Sequence, residues 1–147
     1  MRIKKRVLLI DDENDFCFFM KINLERTGGM SVLTAATADK GIMLARRCAP
    51  DVIILDINMP GKDGFEALRA LKYDGRTMSI PVVMLTARED DESRRRTSEL
   101  FTEGYIAKPA GWETVKEKIE TVLKRRPEPG VMAGQPKKSL RLDTKRG

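Results

Sequence analysis

Acidic, hydroxyl and ammonium side chains close the apolar runs of this chain. Asp11-Asp12-Glu13 follow Val7-Leu8-Leu9-Ile10, and Asp56 follows Val52-Ile53-Ile54-Leu55, with Pro60-Gly61 close behind. Two further apolar stretches end in Thr86 and in Lys108-Pro109. If these ends meet, Asp11, Asp12 and Asp56 bring about −3 when ionised, and such close carboxylates raise one another's pKa. A divalent cation together with Lys108 would balance that charge. An oxygen-only site with few protein ligands and room for a phosphate is the kind that Mg²⁺ takes. An aspartate there, with a lysine and a threonine to hold phosphoryl oxygens, suits formation of an aspartyl phosphate. Each residue also has a plainer reading. Asp11 and Asp12 can cap a following helix, Thr86-Ala87-Arg88-Glu89 fits a capping box, Asp56 fits a turn, and Lys108 fits a solvated surface.

The elements that must position these residues follow from periodicity. Strand-like runs cover 6–10, 30–36, 51–55, 80–85 and 104–108. Between them lie helical patterns. The first carries Phe16, Phe19, Met20 and Leu24 and stops at Gly28-Gly29. The second is capped by Thr37 and places Ile42, Ala45 and Cys48 on one face. The third opens on a capping box, Asp63-Gly64-Phe65-Glu66. A charged helix is expected around 89–101, and a last one over about 111–126 carries Trp112, Val115, Ile119, Val122 and Leu123 on one stripe. Five strands alternating with helices, several of them apolar on both faces, predict a parallel sheet covered on both sides. Function in such α/β sheets sits at the carboxyl ends of the strands.

Four segments, VLLIDDE, DVIILDINMPGKDG, VVMLTA and YIAKP, resemble the receiver domain of two-component response regulators in order and spacing. The resemblance covers about residues 5–124. It implies a doubly wound, flavodoxin-like sheet of order 2-1-3-4-5, the order of a chemotaxis receiver given as a standard example of this fold. By position, Asp56 matches the phospho-acceptor. Asp12 and Asp11 match Mg²⁺ ligands, with Asp56 and the backbone carbonyl of Asn58 completing the set. Thr86 and Lys108 match the groups that hold the phosphoryl oxygens, and Tyr105 matches an aromatic that turns inward as Thr86 moves. On its own, Tyr105 also reads as a core aromatic with a wet hydroxyl. Lys108-Pro109 matches a cis peptide. The implied role is two-component phosphorelay signalling: a histidine kinase or histidine phosphotransfer protein phosphorylates a switch that controls a protein target. The chain would act as monomer or phosphorylation-dependent dimer, through the face built from the helix after the fourth strand, the fifth strand and the last helix. The family commonly has Gly-Ala ahead of the fifth strand and Phe after Lys-Pro; here stand Phe101-Thr102-Glu103-Gly104 and Ala110, changes that bear on partner choice.

At 147 residues, the chain suits one domain over 1–126. The net charge of +6 belongs to the end of the chain: eight bases against two acids from Lys124 onward, leaving earlier residues balanced. Residues 127–147 hold three prolines and few large apolar groups, the composition of a disordered basic tail. No membrane or nucleic-acid partner is expected, and the Arg94-Arg95-Arg96 run reads as a solvated helix face. There is no histidine, which excludes Ser-His-Asp and Cys-His catalysis and histidine-ligated zinc, and suits a chain that receives a phosphoryl group rather than donating one. Cys17 and Cys48 lack metal-ligand spacing and read as buried free thiols in a reducing, cytoplasmic setting. Rival readings fit less well. A haloacid-dehalogenase-like phosphatase needs a second acid two residues after its nucleophile, where Asn58 stands. A flavodoxin-like flavin binder would not place Asp11-Asp12-Glu13 at a phosphate loop. A receiver-like module that binds without phosphorylation, or a receiver belonging to a longer transcriptional regulator, remain as alternatives.

Overall fold

The computed structural model describes residues 4–87 and 102–125. The helix expected around 89–101, the Arg94–Arg96 run, the box from Thr86 to Glu89 past Ala87, and the tail 127–147 lie outside the described residues. Five strands, β1 (Lys5–Ile10), β2 (Met30–Ala35), β3 (Val52–Asp56), β4 (Val82–Thr86) and β5 (Gly104–Ala107), form one parallel sheet in the order β2-β1-β3-β4-β5. Four helices are described: α1 (Asn14–Arg26), α2 (Ala38–Cys48), α3 (Gly64–Lys72) and α4 (Trp112–Lys124). Every residue of β3 and β4 is buried, which is why these strands read as unbroken apolar runs rather than alternating ones.

Alternation along the strands divides the core in two. Leu8, Ile10, Ile53, Leu55, Val82 and Met84 face α2 and α3, where Ile42, Ala45, Phe65, Leu68 and Leu71 meet them. Val7, Leu9, Val52, Ile54, Val83, Leu85 and Ile106 face α1 and α4, against Cys17, Met20, Leu24, Val115, Ile119 and Val122. Each large aliphatic side chain fully buried this way contributes about 1.5–3 kcal/mol.

Local signals hold the helices in register with the strands. Thr37 Oγ1 accepts the Lys40 N–H at 3.1 Å and caps α2. In α3 both halves of the capping box form: Asp63 accepts from Glu66 N at 2.9 Å, and Glu66 accepts from Asp63 N at 3.2 Å. Gly29 takes a φ of +70°, allowing the reversal after α1. Two expectations need correction. Phe19 is half-exposed and Phe18 more so, because the stripe of α1 that meets the sheet runs Cys17–Met20–Leu24, and Phe19 projects about 100° from its neighbour Met20. Cys48 is only partly buried, since it is the last residue of α2, where the chain turns through a left-handed Ala49.

The connection from α3 to β4 is held from inside. The Lys72 ammonium donates to the carbonyls of Ile80 at 2.8 Å and Met78 at 3.3 Å, and Thr77 Oγ1 donates to the Leu71 carbonyl at 2.7 Å. Lys72→Met should therefore lower stability by about 1–3 kcal/mol, because enclosed carbonyls lose their donor. Denaturant unfolding of the variant measures this directly.

Candidate functional site

The strand order sets the carboxyl ends of β1, β3 and β4 side by side, with β5 outermost. Asp56, the last residue of β3, is 3% exposed. The Ile57 N–H donates to Leu85 O at 2.9 Å, and Asp56 Oδ1 accepts the Asn58 N–H at 3.0 Å, so the carboxylate is aimed by backbone bonds on its C-terminal side. The loop then returns through Gly61, with φ +79°, to Gly64, whose N–H donates to Ile57 O at 2.9 Å. A Cβ at position 64 would lie 2.5 Å from both the Asp56 carbonyl oxygen and Ile57 Cα, so only a hydrogen fits.

Asp11 is fully buried. Its N–H donates to Ala35 O at 3.0 Å, and its Oδ1 accepts the Glu13 N–H at 2.9 Å. Its Oδ2 is enclosed: Lys108 Nζ lies 2.9 Å away as an ion pair, but the oxygen accepts no hydrogen bond of regular geometry. Lys108 follows β5, with its N–H on Thr86 O at 2.7 Å and a cis peptide to Pro109. Its ammonium lies 2.5 Å from Glu13 Oε1, 3.8 Å from Asp56 Oδ2, and 4.8 Å from the centre of the Phe16 ring. These groups border a crevice of about 650 Å³ whose polar side is Asp12, Glu13, Asp56, Asn58 and Lys108 and whose apolar side is Phe16, Ala87, Pro109 and Ala110.

Burial, and then the Asp11 charge, push the Asp56 carboxyl from its ordinary 3.8 up to about 7. Burial also opposes the charge on Lys108, but the hydrogen bond to Glu13, the close ion pairing with Asp11 and the field of Asp56 outweigh it, so its pKa rises overall. Burial first, and Asp11 second, lift the Cys17 thiol to about 12. Cys17 is thus a neutral donor to the Asp11 carbonyl, at 3.3 Å, rather than a nucleophile. Carboxylate oxygens of Asp11, Asp12 and Asp56 all lie within 4.8 Å of one another. Oxygen donors alone, one of them an enclosed Asp11 oxygen without a regular hydrogen bond, fit a hard divalent ion such as Mg²⁺.

The structure brings Asp11, Asp12, Asp56, Asn58 and Lys108 to one place. Thr86 lies buried at the end of β4, one residue beyond Leu85, the register partner of Asp56. At this strand end the crevice wall is formed by Ala87. Tyr105 is half-buried and packs on the α2–α3 side of the sheet. Sequence reasoning gave no role to Glu13 and treated Phe16 as core; both contact Lys108.

A doubly wound parallel sheet of order 2-1-3-4-5 with an acidic crevice and a lysine at its carboxyl rim defines a receiver-type signalling domain. The chain belongs to the response regulator receiver family: the family model described as "Response regulator receiver domain" matches residues 7–120. Among curated proteins it is similar to the protein PilH of Pseudomonas aeruginosa, 35% identical over 80% of this chain and 97% of PilH. It is also similar to the transcriptional regulatory protein AfsQ1 of Streptomyces coelicolor, 36% identical over 81% of this chain but 51% of AfsQ1. The chain therefore spans nearly all of the first and about half of the second. Among solved structures, the chemotaxis response regulator CheY4 of Vibrio cholerae is similar at TM-score 0.75 and 28% identity, covering 81% of this chain and 98% of that one. A CheY-like receiver domain protein of Methanospirillum hungatei is similar at TM-score 0.78 and 26% identity, covering 86% and 99%. The chain is thus a component of two-component signalling, a signalling domain rather than a catalytic enzyme. Among the described residues, no helix is long and apolar enough to cross a membrane.

Proposed function

We propose that this chain accepts a phosphoryl group on Asp56 from a histidine kinase or histidine phosphotransfer protein and so switches its affinity for a protein target. The observation that carries this reading is a desolvated Asp56 carboxylate beside an enclosed Asp11 oxygen and the Lys108 ammonium. Asp11, Asp12, Asp56 and the Asn58 carbonyl would hold Mg²⁺, which when bound supplies positive charge against the phosphoryl oxygens. An Asp56 carboxylate oxygen gives an electron pair to phosphorus, and the P–N bond of the donor phosphoimidazole breaks. The imidazole nitrogen leaves with the pair of the broken P–N bond and takes a proton from solvent. The acyl phosphate adds about one negative charge relative to the carboxylate. Lys108 pairs with a phosphoryl oxygen, Thr86 donates its hydroxyl to another, and Tyr105 turns inward as Thr86 moves. Such a switch works by differential affinity between two pre-existing states.

In this reading the chain is a stand-alone cytoplasmic regulator that acts through protein contacts, as monomer or phosphorylation-dependent dimer; the match over 97% of PilH supports only the single-receiver part of it. The test is intact-protein mass after incubation with acetyl phosphate, with and without Mg²⁺, for wild type and Asp56→Asn. One added phosphoryl group, dependent on Mg²⁺ and absent from the variant, is the expected result. No gain in folded wild-type protein, with phosphoramidate as a second donor, would favour a module that binds without phosphorylation.

A further inference from the structure

Glu13 occupies the N-cap position of α1, yet its side chain caps nothing. Ser, Thr, Asp and Asn at that position ordinarily accept a helix N–H, whereas glutamate, one methylene longer than aspartate, is free to reach elsewhere. Here the backbone of Glu13 is fixed by Asp11 Oδ1, and its carboxylate crosses the crevice rim to Lys108, 95 residues away in sequence. At 2.5 Å it lies nearer the ammonium than Asp11 at 2.9 Å or Asp56 at 3.8 Å. The Phe16 ring lies beneath the same ammonium. Glu13 is 61% exposed on its side chain, whereas Lys108 is 14% exposed. One partner is therefore free to leave into water and the other is not.

We propose that Glu13 is a positioning residue that engages Lys108 in the resting protein and surrenders it to the incoming phosphoryl group. The inference rests on Asp56 being the phospho-acceptor. The exchange at Lys108 is non-covalent: the ammonium drops one carboxylate oxygen and gains a phosphoryl oxygen of greater charge. Glu13 returns to solvent with no capping bond lost. The contact acts as a brake on phosphoryl uptake, and its strength is that of a partly exposed ion pair.

The test compares initial rates of acetyl phosphate labelling at saturating Mg²⁺ for wild type, Glu13→Ala and Glu13→Asp. The alanine variant removes the contact. The aspartate variant keeps the charge, but its shorter side chain caps the helix instead of reaching Lys108. Both should label roughly two- to fivefold faster than wild type, the range set by a partly exposed pair, and the ratio should shrink as NaCl rises. Acceleration in Glu13→Ala with wild-type behaviour in Glu13→Asp would assign the effect to charge alone and overturn the contact. Equal rates in all three proteins overturn the inference while leaving Asp56 as acceptor. Wild-type protein that takes up no phosphoryl group from acetyl phosphate or phosphoramidate overturns the acceptor reading, and the inference falls with it.

Discussion

Asp56→Asn should make the metal-free protein more stable at pH 8, not less. Folding buries this carboxylate against Asp11 and lifts its pKa from 3.8 to about 7. Between about pH 4 and pH 7 the folded protein therefore holds more protons at this position than the unfolded chain does. Stability falls as pH rises through that window, and the full cost is present above it. A shift of this size corresponds to about 4 kcal/mol with the Lys108 attraction already included; the desolvation of the buried amide itself offsets part, so a gain of about 2 kcal/mol is expected from the amide. Urea unfolding in EDTA from pH 4 to pH 8 should show a declining slope in wild type that is weaker in the variant. Saturating Mg²⁺ should flatten the wild-type slope, because a cation then balances the carboxylates that a proton neutralised. An Asp56→Asn variant less stable than wild type at pH 8 would refute this account of the site as electrostatically strained.

Gly64→Ala should have the second large effect, for a steric reason. The new methyl would meet the Asp56 carbonyl oxygen and Ile57 Cα at 2.5 Å, both of them backbone atoms that cannot rotate away. Overpacking typically costs about 1–3 kcal/mol, and a backbone clash belongs at the upper end. Any relief must come from shifting the segment that carries Asp56, so Mg²⁺ affinity should fall together with stability. Gly61→Ala is the informative control. Its positive φ makes alanine strained, by about 1–2 kcal/mol, but nothing lies within 4 Å of the added methyl. Denaturant unfolding combined with Mg²⁺ titration separates the two variants: both lose stability, and Gly64→Ala alone should lose metal affinity.

Much of this architecture was legible because its signals are local. A run of buried aliphatics ending in Asp56 predicts both the strand and the place where its carboxylate emerges. Asp63 and Glu66 stand three apart and announce the cap of α3, and Gly28-Gly29 marks the end of α1. What escaped was decided by tertiary contact. Glu13 and Lys108 are 95 residues apart, and no periodicity tells a reader that an N-cap glutamate will turn outward to a lysine after β5. Phe16 and Phe19 look equivalent on a helical stripe until the angle of α1 on the sheet is known. That angle buries Cys17 and Met20, leaves Phe19 to solvent, and puts Phe16 beneath the Lys108 ammonium. The contribution of β2, the Ala35 carbonyl that fixes the Asp11 backbone, is likewise a tertiary contact with no sequence signal.

The alternation that splits the core has a mechanical meaning. Along β4, Val82 and Met84 press on one helical layer, while Val83 and Leu85 press on the other. On β5, Tyr105 leans toward the first layer and Ile106 sits in the second. Because successive side chains point to opposite faces, no residue of these strands can be shifted across the sheet without touching both layers. The sheet is thus a wall shared by two rooms: the strand ends beside Asp56 are held by side chains that pack on both helical layers.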